Sequence, residues 1–135
     1  MLVDWQRKVY KVSNLTESME KNKLKEVLQD QQALFDKADD FIEREVSLKD
    51  YMKGNEIIIV TGIRRCGKSS LLKLISKKLN EKFVYMNFDD IRLTDFKVEN
   101  FEDIEEIVSE IYGIKTNVIY LLDEIQNVLS WERWV

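Results

Sequence analysis

The sequence predicts an α/β fold in which helices flank a parallel sheet. From residue 56 onward, apolar runs of strand length alternate with helical patterns, and such alternation favours right-handed crossovers between parallel strands. The residues before them carry a polar, helical pattern instead. We therefore expect an N-terminal helical segment over residues 1–55 and an α/β core over residues 56–135.

The composition is typical of a globular cytoplasmic protein. Of 135 residues, 44% are hydrophobic and 34% are charged. The net charge of −4 leaves no strongly basic footprint, so nucleic acid is not indicated as a partner. The single cysteine, Cys66, excludes an internal disulfide framework. No signal-peptide pattern is present, and no apolar run reaches the roughly 20 residues that a membrane span needs.

An apolar stripe predicts a helix in the N-terminal segment. Asn14 is a candidate cap, and Glu17 is placed to complete a capping box. Apolar residues then recur at three- and four-residue spacing, namely Leu24, Val27, Leu28, Leu34, Phe35, Ala38, Phe41 and Ile42. We expect this stripe to pack into the fold, because Gln31 and the uneven repeat argue against a coiled coil. A short helix is expected at residues 47–53, ended by Gly54.

The α/β core is expected to contain three strands and two main helices. The strands are predicted at residues 56–61, 83–88 and 117–122. A helix over residues 68–79 should turn five apolar side chains inward, namely Leu71, Leu72, Leu74, Ile75 and Leu79. A second helix, capped by Asn100 and ended by Gly113, should bury Phe101, Ile104, Ile107, Val108 and Ile111. Residues 131–135 begin a further helix.

A phosphate-binding motif joins the first predicted strand to the helix that follows it. Its sequence, Gly62-Ile63-Arg64-Arg65-Cys66-Gly67-Lys68-Ser69, matches G-x-x-x-x-G-K-[ST]. The glycines let the backbone turn and approach a phosphate, and the helix aims its first amides at the same anion. Lys68 is expected to reach the β and γ oxygens of ATP, and the Ser69 hydroxyl to bind Mg²⁺. We include Ser70 with these nucleotide-binding residues, although a small helix residue is its simpler role.

Three loop positions allow two interpretations each. Arg64 and Arg65 contact either the nucleotide or acidic groups of a partner, or they are solvated loop charges. Cys66 is either a thiol acidified by the helix N-terminus, with a redox role, or a small residue that fits a tight loop. The second interpretation is favoured for Cys66, because the chain has no resolving cysteine.

An acidic pair follows the third predicted strand. Asp123 should lie at the carboxyl edge of the sheet, where open α/β sheets bind ligands. A carboxylate there can hold Mg²⁺ through water, and Glu124 can accept a proton from an attacking water. Without a phosphate motif upstream, the pair would simply indicate a helix cap. Asn87, at the end of the second predicted strand, is either a hydrogen-bond partner of Glu124 or a turn residue.

Together these residues resemble the AAA+ class of P-loop ATPases. The resemblance covers roughly residues 24–135 and is strongest to an archaeal and bacterial group with the segments GIRRCGKSS, YMNFDDIRL and LLDEIQNV. It implies ATP binding with Mg²⁺, and ATP hydrolysis in the intact relative. By this likeness Lys68 and Ser69 bind phosphate and Mg²⁺, Asp123 is the metal residue, and Glu124 is the base, with Lys68 also counted as catalytic. Asn87 would be a switch that restrains Glu124, whereas the family assigns no settled role to Asp89, Asp90 and Arg92.

The resemblance also implies a five-stranded sheet in the order 5-1-4-3-2, of which three strands have counterparts here. The sensor strand, the arginine finger and the helical lid have none, so the sheet is expected to be incomplete at its C-terminal end. Either the chain is a fragment of a longer product or its sheet closes differently. We therefore expect a protein partner, the rest of an ATPase chain or an oligomer, and little turnover by this chain alone. A nucleotide-binding module without turnover and an interaction fragment without nucleotide are the alternatives.

Overall fold

The computed structural model describes residues 19–37, 67–79, 81–113 and 117–135. In chain order its main elements are helix α1 (Lys21–Lys37), helix α2 (Lys68–Lys78), strand β1 (Lys82–Asn87), helix α3 (Asn100–Tyr112) and strand β2 (Val118–Asp123). Short 3-10 turns lie at Ile91–Leu93, Ile125–Asn127 and Trp131–Arg133. The predicted strand at 56–61, the helix at 47–53, the Asn14 cap and the boundary between residues 55 and 56 lie outside the described residues.

The two described strands pair in parallel. Their register runs from Lys82 opposite Val118 to Asn87 opposite Asp123, and α3 forms the crossover between them. The parallel arrangement predicted from the sequence is therefore confirmed for this pair. Because parallel strands end at the same edge, Asn87 and Asp123 lie side by side there.

Both strands lie one residue away from their predicted limits. The prediction placed Phe88 in the first of them, whereas β1 ends at Asn87 and Phe88 begins a turn. Phe88 is nevertheless only 5% exposed and packs against the rings of Phe96 and Phe101. Its apolar character thus reflects burial just beyond the strand, which a sequence pattern does not separate from the strand itself.

The core occupies both faces of the strand pair. On one face, Val84 and Met86 pack against α3 and α1 in a cluster that also contains Leu24, Phe101 and Ile104. On the other face, Tyr85 and Leu121 pack against Phe35, with Leu72 and Ile75 of α2 beside them. Successive strand residues point to opposite faces, which explains why neighbours in β1 enter different clusters. None of the helices in the described ranges combines the length and apolar character needed to cross a bilayer.

Helix α1 packs into the core, as predicted for its apolar stripe. Leu24, Val27 and Leu28 are at most 3% exposed. The prediction was wrong for Leu34, whose side chain is 68% exposed. Leu34 lies about 100° around the helix from the buried Phe35, at the margin of the packed face rather than within it.

Two glutamines of α1 cover the edge of β1 that β2 does not occupy. Gln31 accepts the Asn87 N–H at 2.9 Å through its Oε1 and donates to the Asn87 carbonyl at 3.0 Å through its Nε2. Gln32 accepts the Tyr85 N–H at 2.9 Å. The helix thereby supplies hydrogen bonds that another strand would supply, which protects the edge from pairing with another chain. This function explains the burial of Gln31 within an apolar stripe.

Helix α2 buries polar side chains that the apolar pattern did not predict. Leu74 is buried as expected, but so are Lys73 and Ser76. Lys73 donates from Nζ to the Phe35 carbonyl in the last turns of α1, and Ser76 donates to the Lys73 carbonyl at 2.7 Å. Each buried polar group therefore has a partner, as burial requires.

Helix α3 agrees with its prediction along most of its length. Four of the five expected side chains are buried, namely Phe101, Ile104, Ile107 and Val108, but Ile111 in the last turn is 41% exposed. Gly113 ends the helix at φ 92°, a conformation that favours glycine. Asn100 is the first helical residue rather than the cap, and its side-chain oxygen accepts the Lys97 N–H at 2.9 Å.

Leucines 24 and 34 provide a matched test of the packing of α1. Leu24→Ala removes a side chain with 0% exposure, so we expect unfolding free energy to fall by about 2–5 kcal/mol. Leu34→Ala on the exposed side of the same helix should change it by about 0.5 kcal/mol or less. Urea unfolding followed by circular dichroism measures both. Equal losses for the two variants would contradict this packing.

Candidate functional site

The N-terminus of α2 meets the end of β2 through two side-chain contacts. Ser69 donates from Oγ to Asp123 Oδ2 at 2.5 Å, across 54 positions of sequence. The Lys68 Nζ lies 3.9 Å from Glu124 Oε1. The last two residues of the phosphate-binding motif therefore lie beside both members of the acidic pair.

Asp123 is a buried carboxylate held by hydroxyl groups. It is 4% exposed and ends β2. Besides the Ser69 hydroxyl, it accepts a hydrogen bond from the Tyr85 hydroxyl at 3.1 Å. Burial, together with the negative charge of Asp123, holds the pKa of Tyr85 well above its ordinary value, so this hydroxyl stays protonated and remains a donor.

Glu124 occupies a backbone conformation that is uncommon for residues other than glycine. Its φ of 54° and ψ of 35° lie in the left-handed region. The side chain, 23% exposed, lies near Lys68 and accepts a hydrogen bond from Gln126. A non-glycine residue at positive φ costs free energy that the surrounding structure must offset, and such residues concentrate at functional sites.

Asn87 has the turn role that the sequence left open as one of two alternatives. Its side-chain oxygen accepts the Asp89 N–H at 2.9 Å, and its backbone is bonded to Gln31. Glu124 contacts Lys68 and Gln126 instead. The turn after β1 orients the Asn87 side chain, and the other alternative, a hydrogen bond from its amide nitrogen to Glu124, is not formed among the described residues.

Gly67 is the first described residue of the phosphate-binding motif, and it lies directly before helix α2. Gly67 has φ 89° and ψ 24°, and its carbonyl accepts the Leu71 N–H at 3.0 Å. Only glycine adopts this left-handed conformation at little cost. Ser70 follows in the first turn of α2 and is exposed. The remaining loop residues lie outside the described part of the chain, so their roles stay predictions: Gly62, Ile63, Arg64, Arg65 and Cys66.

A cavity of about 480 Å³ opens beside this contact, between α1, α2 and the end of β1. Ser69 and Tyr85 line it together with Leu34 and Phe35 of α1. Sequence reasoning missed Tyr85 and the part that α1 plays here. The available signal was the two-residue spacing from Tyr85 to Asn87, which places both on one face of a strand.

Charged side chains in the turn after β1 contact helix α1. Asp90 accepts hydrogen bonds from Arg92 Nη2 at 2.9 Å and from Gln31 Nε2 at 3.0 Å. Arg92 also contacts Asp30 of α1 at 2.8 Å through Nη1. The hydrogen bonds from Arg92 above all, and that from Gln31, lower the pKa of Asp90 to about 2. Part of the YMNFDDIRL segment is therefore anchored to α1.

Comparisons with known proteins place these observations in a family. A family model described as an AAA domain matches residues 54–135. Two uncharacterized proteins of Methanocaldococcus jannaschii are similar: MJ1544 is 30% identical over 129 residues, covering 95% of this chain and 27% of that protein. MJ1637 is 32% identical over 111 residues, covering 76% and 21% respectively. The chain thus spans about a quarter of the length of these curated relatives, and no solved structure matches it.

The lowered pKa of Asp90 predicts that its contribution to the free energy of unfolding depends on pH. A carboxyl group whose pKa is lower in the folded state stabilises the fold above its unfolded pKa of about 4, and the contribution is lost as pH falls towards about 2. Asp90→Asn should therefore destabilise the protein at pH 7, and the difference from the parent should shrink at pH 2.5. Urea unfolding at the two pH values measures this. Asp95→Asn, an exposed substitution in the same segment, is the control, and a constant Asp90→Asn deficit would contradict the assignment.

Proposed function

Because this chain belongs to the AAA domain family, we propose that it is a P-loop domain that binds ATP together with Mg²⁺. The observation that carries the proposal is the 2.5 Å contact between Ser69 Oγ and Asp123 Oδ2. It joins the hydroxyl of the phosphate-binding motif to the carboxylate of the acidic pair, and these two groups serve one metal ion in the proposed site. The proposed phosphate loop extends from Gly62 to Ser69, with Ser70 beside it.

The chemistry of these groups fits Mg²⁺. Mg²⁺ is a hard cation that takes oxygen ligands, and it commonly keeps several waters beside one or two carboxylates and the phosphates of a nucleotide. Ser69 and Asp123 would hold the ion, which would neutralise charge on the phosphates. Within the described ranges, no group of three or more His, Cys, Asp or Glu side chains is placed to hold a metal. A nucleotide-bound Mg²⁺ does not require one, since phosphate and water complete its coordination.

Lys68 and Glu124 have complementary roles in the proposal. Lys68 begins α2, where backbone amides also favour an anion. Its contact with Glu124 at 3.9 Å places the cation beside the proposed base. A triphosphate carries more negative charge than one carboxylate, so bound ATP would compete for Lys68. Glu124 would then be available to accept a proton from the attacking water.

We also propose that the chain consists of an N-terminal helical segment over residues 1–55 and an ATPase core over residues 56–135. Helix α1 belongs to the first of these but packs against the strands of the second. We further propose that the domain acts on a protein partner, the rest of a longer ATPase chain or neighbouring copies of itself. The length of the two curated relatives supports this, since the matched region is 27% of one and 21% of the other.

The proposed phosphate contact of Lys68 can be tested by ATP binding. Lys68→Ala removes the charge that faces the β and γ phosphates, so we expect ATP affinity to fall at least tenfold, about 1.4 kcal/mol or more. Lys78→Ala, at the exposed end of the same helix, is the matched control and should bind as the parent does. Titration calorimetry with Mg²⁺ measures all three proteins. Unchanged affinity of Lys68→Ala would exclude this phosphate site.

Two isosteric substitutions distinguish the proposed roles of Asp123 and Glu124. Glu124→Gln should keep ATP binding and abolish whatever phosphate release the parent shows, because the amide does not accept the proton. Asp123→Asn should instead weaken the dependence of ATP binding on Mg²⁺. Glu132→Gln, exposed in the turn at Trp131–Arg133, is the control. Phosphate release at saturating ATP, corrected with Lys68→Ala, measures turnover, and release by Glu124→Gln at the parental rate would place the base elsewhere.

A further inference from the structure

Tyr85 connects helix α1 to the carboxylate of Asp123. Its side chain is buried, and its hydroxyl donates to Asp123 Oδ2 at 3.1 Å. Its ring stacks on Phe35 of α1 with a centroid separation of 4.0 Å and an interplanar angle of 17°. We infer that Tyr85 is a positioning residue that orients Asp123 towards Mg²⁺, and that Phe35 orients Tyr85. This inference rests on the proposed function.

The Asp123 carboxylate needs hydrogen bonds to fix its orientation. The terminal torsion of an aspartate is broad, so burial alone does not select one orientation. Here one oxygen, Oδ2, accepts from Ser69 at 2.5 Å and from Tyr85 at 3.1 Å. If Ser69 turns its hydroxyl oxygen to a metal ion, the Tyr85 donor continues to hold the carboxylate. Groups that hydrogen-bond a metal ligand in this way commonly contribute tenfold to a hundredfold to metal affinity.

The orientation of Tyr85 is in turn set by the end of α1. The Phe35 ring contacts Phe83 as well as Tyr85: the centroids of the Phe35 and Phe83 rings are 6.0 Å apart, with an interplanar angle of 70°. The Lys73 Nζ lies 4.6 Å from the Phe35 ring centroid and donates to the Phe35 carbonyl. Lys73 is one helical turn after Ser69, on the same face of α2. Phe35 thus contacts both the strand that carries Tyr85 and the helix that carries Ser69, the two donors to Asp123.

The test removes the hydroxyl and keeps the ring. Tyr85→Phe preserves the stacking on Phe35 and deletes only the donor to Asp123. Tyr120→Phe is the matched control, because Tyr120 is a half-buried tyrosine whose ring packs against Trp134, 5.6 Å away, in the cluster on the other face of the strands. ATP dissociation constants are measured by calorimetry on the 135-residue chain, with excess Mg²⁺ and with EDTA.

We expect Tyr85→Phe to weaken ATP binding about tenfold in Mg²⁺ and to leave binding in EDTA at the parental value. Tyr120→Phe should match the parent in both conditions. In an Asp123→Asn background, Tyr85→Phe should have no further effect, because the carboxylate through which it acts is absent.

Other outcomes overturn the inference. The positioning role is excluded if Mg²⁺ affects the ATP affinity of Tyr85→Phe as it affects that of the parent, or if Tyr85→Phe binds ATP more tightly in Mg²⁺. It is also excluded if Tyr85→Phe loses equal ATP affinity in Mg²⁺ and in EDTA, or if Tyr120→Phe loses as much affinity as Tyr85→Phe. A loss of folded structure in Tyr85→Phe, seen by circular dichroism, would assign the hydroxyl to stability instead. If the parent itself binds no ATP, the proposed function fails and this inference fails with it. If the parent binds ATP and Lys68→Ala does not, the proposed phosphate site stands. In that case a Tyr85→Phe protein that binds ATP as the parent does overturns only the positioning role of Tyr85.

Discussion

The burial of the Asp123 carboxylate is the constraint on which the carboxyl edge of this sheet depends. A charged group at 4% exposure is stable only when hydrogen-bond donors replace the lost water. The donors come from two other elements, Ser69 of α2 and Tyr85 of β1. The ends of α2, β1 and β2 are therefore held at one point. That point is also where parallel strands of an α/β sheet leave room for a ligand.

Helix α1 is the element through which packing and site geometry are joined. Its apolar side chains enter the larger core cluster, its glutamines complete the hydrogen bonds of the β1 edge, and Phe35 packs on Tyr85. Burial of apolar side chains supplies most of its stabilisation. The exposed ion pairs that Lys21 and Lys25 make with α3 add little, because solvent screens them.

Much of this arrangement follows from sequence patterns, and the rest depends on contacts that those patterns do not describe. Strand and helix periodicity predicted the parallel pair and placed Asp123 at the carboxyl edge. Periodicity counts apolar residues, so it did not predict that Gln31 and Lys73 would be buried. Both are buried because a specific neighbour needs a partner, the strand edge in one case and the Phe35 carbonyl in the other. Leu34 is the opposite case, an apolar residue of the stripe that is exposed. A periodic pattern does not specify how far around a helix the packed face extends.

The electrostatics of the site connect nucleotide binding to the availability of the proposed base. Glu124 lies in a left-handed conformation, and the ammonium group of Lys68 lies 3.9 Å from its carboxylate. In the proposed function ATP draws Lys68 away, so the same event that fills the site frees Glu124 from this contact. Asp123 differs, because among the described residues its hydrogen-bond partners are the hydroxyls of Ser69 and Tyr85. The two neighbouring carboxylates are thus held in different environments, which is how adjacent acidic groups acquire separate roles.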